Sequence, residues 1–171
     1  MGASASAPRV LVAGIGNMFF ADDGFGGEVA RRLATRAMPE GVHVEDYGIR
    51  GVHLAYELLD GYDALVLIDA VPMHEPPGTV AVIEPEMPDP HAVAEAEVPL
   101  DAHTMNPAIV LQTLAKLGGH VDQIVLVGCQ PDRIEASIGL SPTVEAAVDV
   151  AADEVGVLLE DLCRTREETR A

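Results

Sequence analysis

Two acids, Asp22 and Asp23, open the first helical stretch in Asp22-Asp23-Gly24. An acid at a helix entrance is ordinarily an N-cap, and one cap accounts for only one of them. The other is left for different work. Asp69 follows five consecutive apolar residues, Ala64-Leu65-Val66-Leu67-Ile68; alone it would be an ordinary exposed residue at a strand end. His103 precedes Asn106-Pro107, which reads as an N-cap followed by proline at the first helical position. A loop histidine bonded to backbone is the plainer role for it. Near a helix N-terminus, however, the positive dipole end disfavours imidazolium and favours a neutral, ligating imidazole. Two carboxylates and one neutral imidazole form a donor set for a divalent transition metal with open coordination positions. The three lie far apart in sequence, so this chemistry exists only if the fold gathers them.

The elements that must do so alternate along the chain. Residues 9–14 form a short β-branched run ending in Gly14, a buried strand, and Ile15-Gly16-Asn17 a turn. A helix follows with Phe25, Val29, Ala30 and Leu33 on one face. Residues 42–46 read as a second strand, and residues 52–59 as a helix with Leu54, Leu58 and Leu59 inward. The unbroken run at 64–68 suits a parallel strand covered on both faces. Residues 79–83 predict a strand near an edge, and the acidic stretch 84–101 an exposed, partly irregular crossover. A helix from Pro107 carries Val110, Leu111, Leu114 and Leu117 and stops at Gly118-Gly119; residues 124–127 are the last strand. Ser141-Pro142 begins the final helix, with Val144, Val148, Val155, Leu158 and Leu162 inward. This order predicts an α/β fold with a mostly parallel sheet between helical layers. Ligands in such folds gather at the carboxyl ends of strands. That rule marks 14–23, 46–51, Asp69 and 128–131 as one candidate edge. Gly16, Gly48 and Gly51 are expected to be needed for positive φ or close approach. One domain over residues 9–163 is expected, with a disordered leader at 1–8 and a frayed tail at 164–171.

Composition excludes several functions. The 171 residues carry 28 Asp plus Glu against 10 Lys plus Arg, a net charge of −18. Phosphate neutralisation needs clustered bases, so neither nucleic acid nor an anionic membrane surface is expected as a partner. No apolar run approaches the ~18 residues of a membrane helix, and no signal peptide opens the sequence, so a cytoplasmic location is expected. Cys129 and Cys163 share no ligand or C-x-x-C spacing and read as two buried free thiols. Cys129 follows a strand at the candidate edge but has no obvious activating base, so a structural thiol is expected. Gly14-Ile15-Gly16 resembles the opening of a dinucleotide fingerprint. Phe19 stands where the third glycine belongs, and two acids at the helix mouth would repel a pyrophosphate. No organic cofactor is expected.

Six segments together carry a resemblance. Gly14-Ile15-Gly16-Asn17 with Asp22-Asp23-Gly24-Phe25-Gly26 resembles the N-terminal signature of the hydrogenase maturation endopeptidases. The similarity runs on in order through Asp46-Tyr47-Gly48-Ile49-Arg50-Gly51, residues 65–70, His103-Thr104-Met105-Asn106-Pro107, residues 127–131 and 139–142. It implies a three-layer α/β/α sandwich around a mostly parallel, twisted five-stranded sheet. It also implies a nickel-dependent, aspartate-rich endopeptidase that removes the C-terminal extension of a [NiFe] hydrogenase large-subunit precursor once nickel is inserted. The partner would be that precursor, the nickel would arrive with the substrate, and the enzyme would be a monomer. By motif the nickel contacts fall on Asp23, Asp69 and His103, with Asp23 a shorter variant of the family's frequent Glu. A further family acid falls on Asp46, in the loop after the second strand. Asp46-Tyr47-Gly48-Ile49 stands where the family commonly has Asp-Gly-Gly-Thr.

With nickel bridging enzyme and substrate, the scissile bond would be held in register, and positioning of that kind can lower a barrier by several kcal/mol. The metal could also polarise the carbonyl or acidify a water, with Asp46 or one of the ligands as general base. Arg50 could grip a substrate carboxylate or pair with a neighbouring Asp. Two rival functions share the site: a non-proteolytic nickel checkpoint in assembly of the large subunit, and a nucleotide-binding α/β protein.

Overall fold

The computed structural model describes residues 6–85 and 107–170, the last five of them as backbone only. Strand β1 spans Val10–Ile15, β2 Val42–Gly48, β3 Ala64–Ala70, β4 Val80–Ile83 and β5 Gln123–Cys129. Helix α1 spans Phe25–Leu33, α2 Gly51–Leu58, α3 Pro107–Lys116 and α4 Pro142–Arg170; a 3-10 turn at Ala21–Gly24 precedes α1. The sheet order is β2-β1-β3-β5-β4, parallel except for β4, which runs antiparallel to β5 at the edge.

Alternation along the strands builds the layers. Val10 and Val12 of β1 and Ala64, Val66 and Ile68 of β3 face one side. There they bury Phe25, Val29 and Leu33 of α1 and Val144, Val148, Val155 and Leu159 of α4. Leu11, Ala13 and Ile15 with Leu65 and Leu67 face the other side, against Leu54 and Leu58 of α2 and Val110, Leu111 and Leu114 of α3. The result is the three-layer α/β/α arrangement that the alternation of elements predicts.

Several details differ from the sequence expectation. Leu59 and Leu117, expected inward, are 40% and 39% exposed, because each lies just past its helix end. Of the adjacent leucines on α4, Leu159 is the buried one, with Leu158 at the margin of the core. Pro8, assigned to the leader, is buried against Gly41, and α4 continues past Cys163 to Arg170. Of the two thiols, Cys129 is buried and Cys163 partly exposed. The crossover expected at 84–101 falls mostly outside the described residues. Among those described, no helix is long and apolar enough to cross a membrane.

The sheet order fixes where a site can lie. From β1 the chain crosses to β2 on one side, while β3 leads toward β5 on the other. The carboxyl ends of β1 and β3 therefore flank a topological switch point, where the connections diverge and leave a crevice.

Candidate active site

Gly16 is the first residue beyond β1 and takes φ 122°, a region open to glycine. Its missing side chain also matters. A Cβ there would lie 2.0 Å from the Asp23 carbonyl oxygen and 3.5 Å from Asp69 Oδ1. The turn after β1 is thus pressed between the two acids singled out by the sequence. Asp23 sits in the 3-10 turn, half-buried, and its Oδ2 accepts the Asn17 amide at 2.8 Å. Asp69 is within β3, next to its last residue, and 5% exposed.

Both carboxyls are held above their usual range. For Asp23 burial raises the pKa and the Asn17 amide partly offsets it. For Asp69 burial is the main cause, the Asp23 charge adds to it, and the Ala70 amide works against both. Asp69 Oδ1 is buried without a hydrogen-bond partner among the described residues. Such an atom is costly unless something else binds it. The two carboxyls, one with an orphaned oxygen, present oxygen donors of the kind that cations take. Two acids alone do not complete a metal site. Among the described residues, no group of three or more His, Cys, Asp or Glu side chains is arranged to hold a metal. His103, the third expected ligand, lies outside the described residues.

Asp46 lies on the same edge but inside β2, not in a loop after it. The β1–β2 register slips between Gly14↔Asp46 and Ile15↔Gly48, a bulge that carries the strand past Asp46 and turns its carboxylate toward α1. Asp46 Oδ2 accepts from Arg31 at 2.8 Å, and Oδ1 accepts the Gly48 amide at 3.0 Å. Arg31 also pairs with Glu28 at 2.6 Å. This group borders a cleft of about 300 Å³ whose walls include Asn17, Met18, Phe19, Gly24 and Ile49. Arg50 grips backbone: it donates to the carbonyls of Tyr47 and Asp46 and lies over the Tyr47 ring. Its nearest carboxylate is Glu45 at 3.8 Å, so within the chain it pairs with a Glu and not with the neighbouring Asp expected.

Neither acid of Asp22-Asp23 caps α1. The N-cap position is Gly24, without a side-chain cap bond. Asp22 is fully buried and points away from Asp23, toward the segment between β5 and α4. In the sequence only the doubled acid hints at that role. The buried Cys129 thiol is pushed up to about 11, first by burial and then by the Asp22 charge, the opposite of an activated nucleophile.

Comparison with known proteins shows the family. The sequence model of the hydrogenase maturation protease family matches residues 28–156. The chain belongs to that family. It is 31% identical over 161 residues to the hydrogenase 2 maturation protease of Escherichia coli, covering 90% of this chain and 92% of that relative. It is 35% identical over 148 residues to the hydrogenase expression/formation protein HupD of Rhodobacter capsulatus, covering 85% and 69%. Among solved structures, the hydrogenase maturating endopeptidase HybD from E. coli superposes with a TM-score of 0.71 at 30% identity, covering 90% of this chain and 93% of that one. The matched segment contains Asp46, Asp69 and His103. Asp23 falls just ahead of it.

Proposed function

We propose that the chain is an endopeptidase that removes the C-terminal extension of a [NiFe] hydrogenase large-subunit precursor and recognises the nickel already inserted there. The observation that carries this is the orphaned Oδ1 of buried Asp69 beside the Asp23 carboxyl. A divalent cation relieves both the desolvation and the mutual repulsion of such a pair. Because the cation belongs to the substrate, an empty precursor offers nothing to relieve them. Asp23, Asp69 and His103 supply two oxygens and one nitrogen, a donor set suited to a borderline transition metal.

The residues of the enzyme divide the remaining work. Asp46 is fastened by Arg31 and the Gly48 amide, so it presents a fixed acceptor at the mouth of the cleft. Met18, Phe19 and Ile49 make the cleft wall apolar enough to exclude water from a seated peptide strand. Asp69, whose pKa burial and the Asp23 charge raise, is the carboxyl best placed to exchange a proton with the reacting groups.

The test mixes purified protein with nickel-loaded or metal-free precursor and reads intact mass. Loss of the C-terminal peptide from the loaded form alone is the expected result. Equal cleavage of both forms would overturn nickel recognition, and cleavage of neither would favour the non-proteolytic checkpoint. Asp23→Asn, Asp69→Asn and His103→Ala are each expected to stay folded and lose cleavage.

A further inference from the structure

We propose that Asp22 is a positioning residue for Asp23, locking the turn that carries it onto the segment between β5 and α4. The assignment rests on the role given to Asp23 above.

The Asp22 carboxylate is 0% exposed and has four donors. Oδ2 accepts the amides of Asp132 and Arg133, each at 2.9 Å, and the Ser141 hydroxyl at 2.9 Å; Oδ1 accepts the Ser141 amide at 2.6 Å. All of these donors lie more than a hundred residues further along the chain. Backbone bonds run beside them: Ala21 N–H to the Ser137 carbonyl at 2.7 Å, Asp22 N–H to Arg133 at 3.2 Å, and Ser137 N–H to Phe19 at 3.0 Å. A stretch without regular structure is thereby sewn to the turn at both of its ends.

The turn needs this restraint. Ala21 has φ 50°, a left-handed conformation that residues with a Cβ adopt at a cost and keep only when their surroundings over-determine it. If the Asp22 bonds are lost, Ala21 is free to relax toward negative φ, and the peptide that follows rotates. Asp23 is the next residue but one. Its carboxylate is tied to the Asn17 amide, and its carbonyl is wedged against Gly16. A rotation at Ala21 therefore displaces the carboxylate from Asp69 without disturbing the sheet.

Asp22→Asn keeps the size of the side chain but turns an amide NH2 toward backbone donors. Hydrogen exchange of the Asn17 amide reports where the Asp23 carboxylate sits, whether or not the protein is turning over. In the variant, Asn17 protection is expected to fall at least tenfold while the Leu65 and Leu67 amides of β3 stay within twofold. On nickel-loaded precursor, kcat is expected to fall at least tenfold with KM within threefold. Unchanged Asn17 protection would overturn the proposal. So would a parallel loss at Asn17 and β3, which is what a purely global stability role produces. If Asp22→Asn does not fold, Ser141→Ala removes one of the four bonds, and about a threefold change in the same two readouts is expected. Should the wild-type protein itself fail to cleave, the proposed function falls, while the exchange comparison still decides the role of Asp22.

Discussion

At the scale of single residues, Asp69 is a group the free protein holds at a cost. Burial, and secondarily the Asp23 charge, raise its pKa well above 3.8. In the unfolded chain it ionises near 3.9, so between that pH and its folded pKa the folded state binds more protons. Stability is therefore lost as pH rises through that window, and the penalty is present at neutrality. Asp69→Asn is expected to raise the melting temperature of the metal-free protein at pH 7 by about 2–4 °C, on the order of 1 kcal/mol for a chain of this size. The gain should vanish below about pH 4, where the wild-type carboxyl is also neutral. A variant no more stable than wild type at pH 7 would show that the pair is not strained. Asp23→Asn removes only the smaller of the two causes. It is expected to bring the Asp69 pKa down part of the way, which carbon-detected titration of the carboxyl would read. The sequence already pointed to Asp23 and Asp69, because both follow strands that had to share an edge. It could not reveal Asp22, whose donors are three backbone amides and one serine hydroxyl on a distant segment, a set with no recognisable spacing to Asp22.

Helix α1 sits on the sheet backbone to backbone, and that contact sets the height of the Asp23 turn at the scale of elements. A Cβ on Gly26 would lie 2.2 Å from the Ile68 carbonyl oxygen and 2.3 Å from that of Ile15; one on Gly14 would lie 2.2 Å from the Gly26 carbonyl oxygen. No side chain can move aside, since the obstacles are main chain. Gly26→Ala is expected to destabilise by about 3 kcal/mol, a fall of roughly 6–12 °C in melting temperature, and to lower activity in what remains folded. Gly156 in the middle of α4 has open space around it, so Gly156→Ala is expected to stabilise by about 0.5–1 kcal/mol. The two thermal melts together separate close packing from helix propensity. All five strands are legible because β1, β3 and β5 contain short apolar runs, β2 opens on an alternating Val42-His43-Val44, and the edge strand β4 follows a proline-rich break. The end of β2 is not: its residues are only half-buried, and the bulge at Asp46 has no marker in a single sequence. The helix ends are obscured for a related reason, since Leu59 and Leu117 continue the apolar spacing after the backbone has left the helix.

The net charge of −18 acts on the molecule as a whole. Among the described residues its counterweights are mostly exposed pairs, such as Arg32 with Asp149, Arg36 with Asp153 and Arg31 with Glu28. Exposed pairs of this kind contribute little, and salt weakens them. Salt also screens the repulsion among the excess acids, a sum over many more charges that reaches across the whole surface. The second effect should win. Raising sodium chloride from about 0.05 to 0.5 M shortens the screening length from more than 10 Å to less than 5 Å. At pH 7 the melting temperature is therefore expected to rise with salt. The dependence should shrink toward pH 4.4, where the sequence carries no net charge and only the pairs remain to be screened. A melting temperature that falls with salt at pH 7 would mean that the ion pairs of Arg32 and Arg36 with α4 outweigh the excess charge. The fold would then owe its cohesion to those few contacts, and Arg32→Ala would cost far more than an exposed pair can supply.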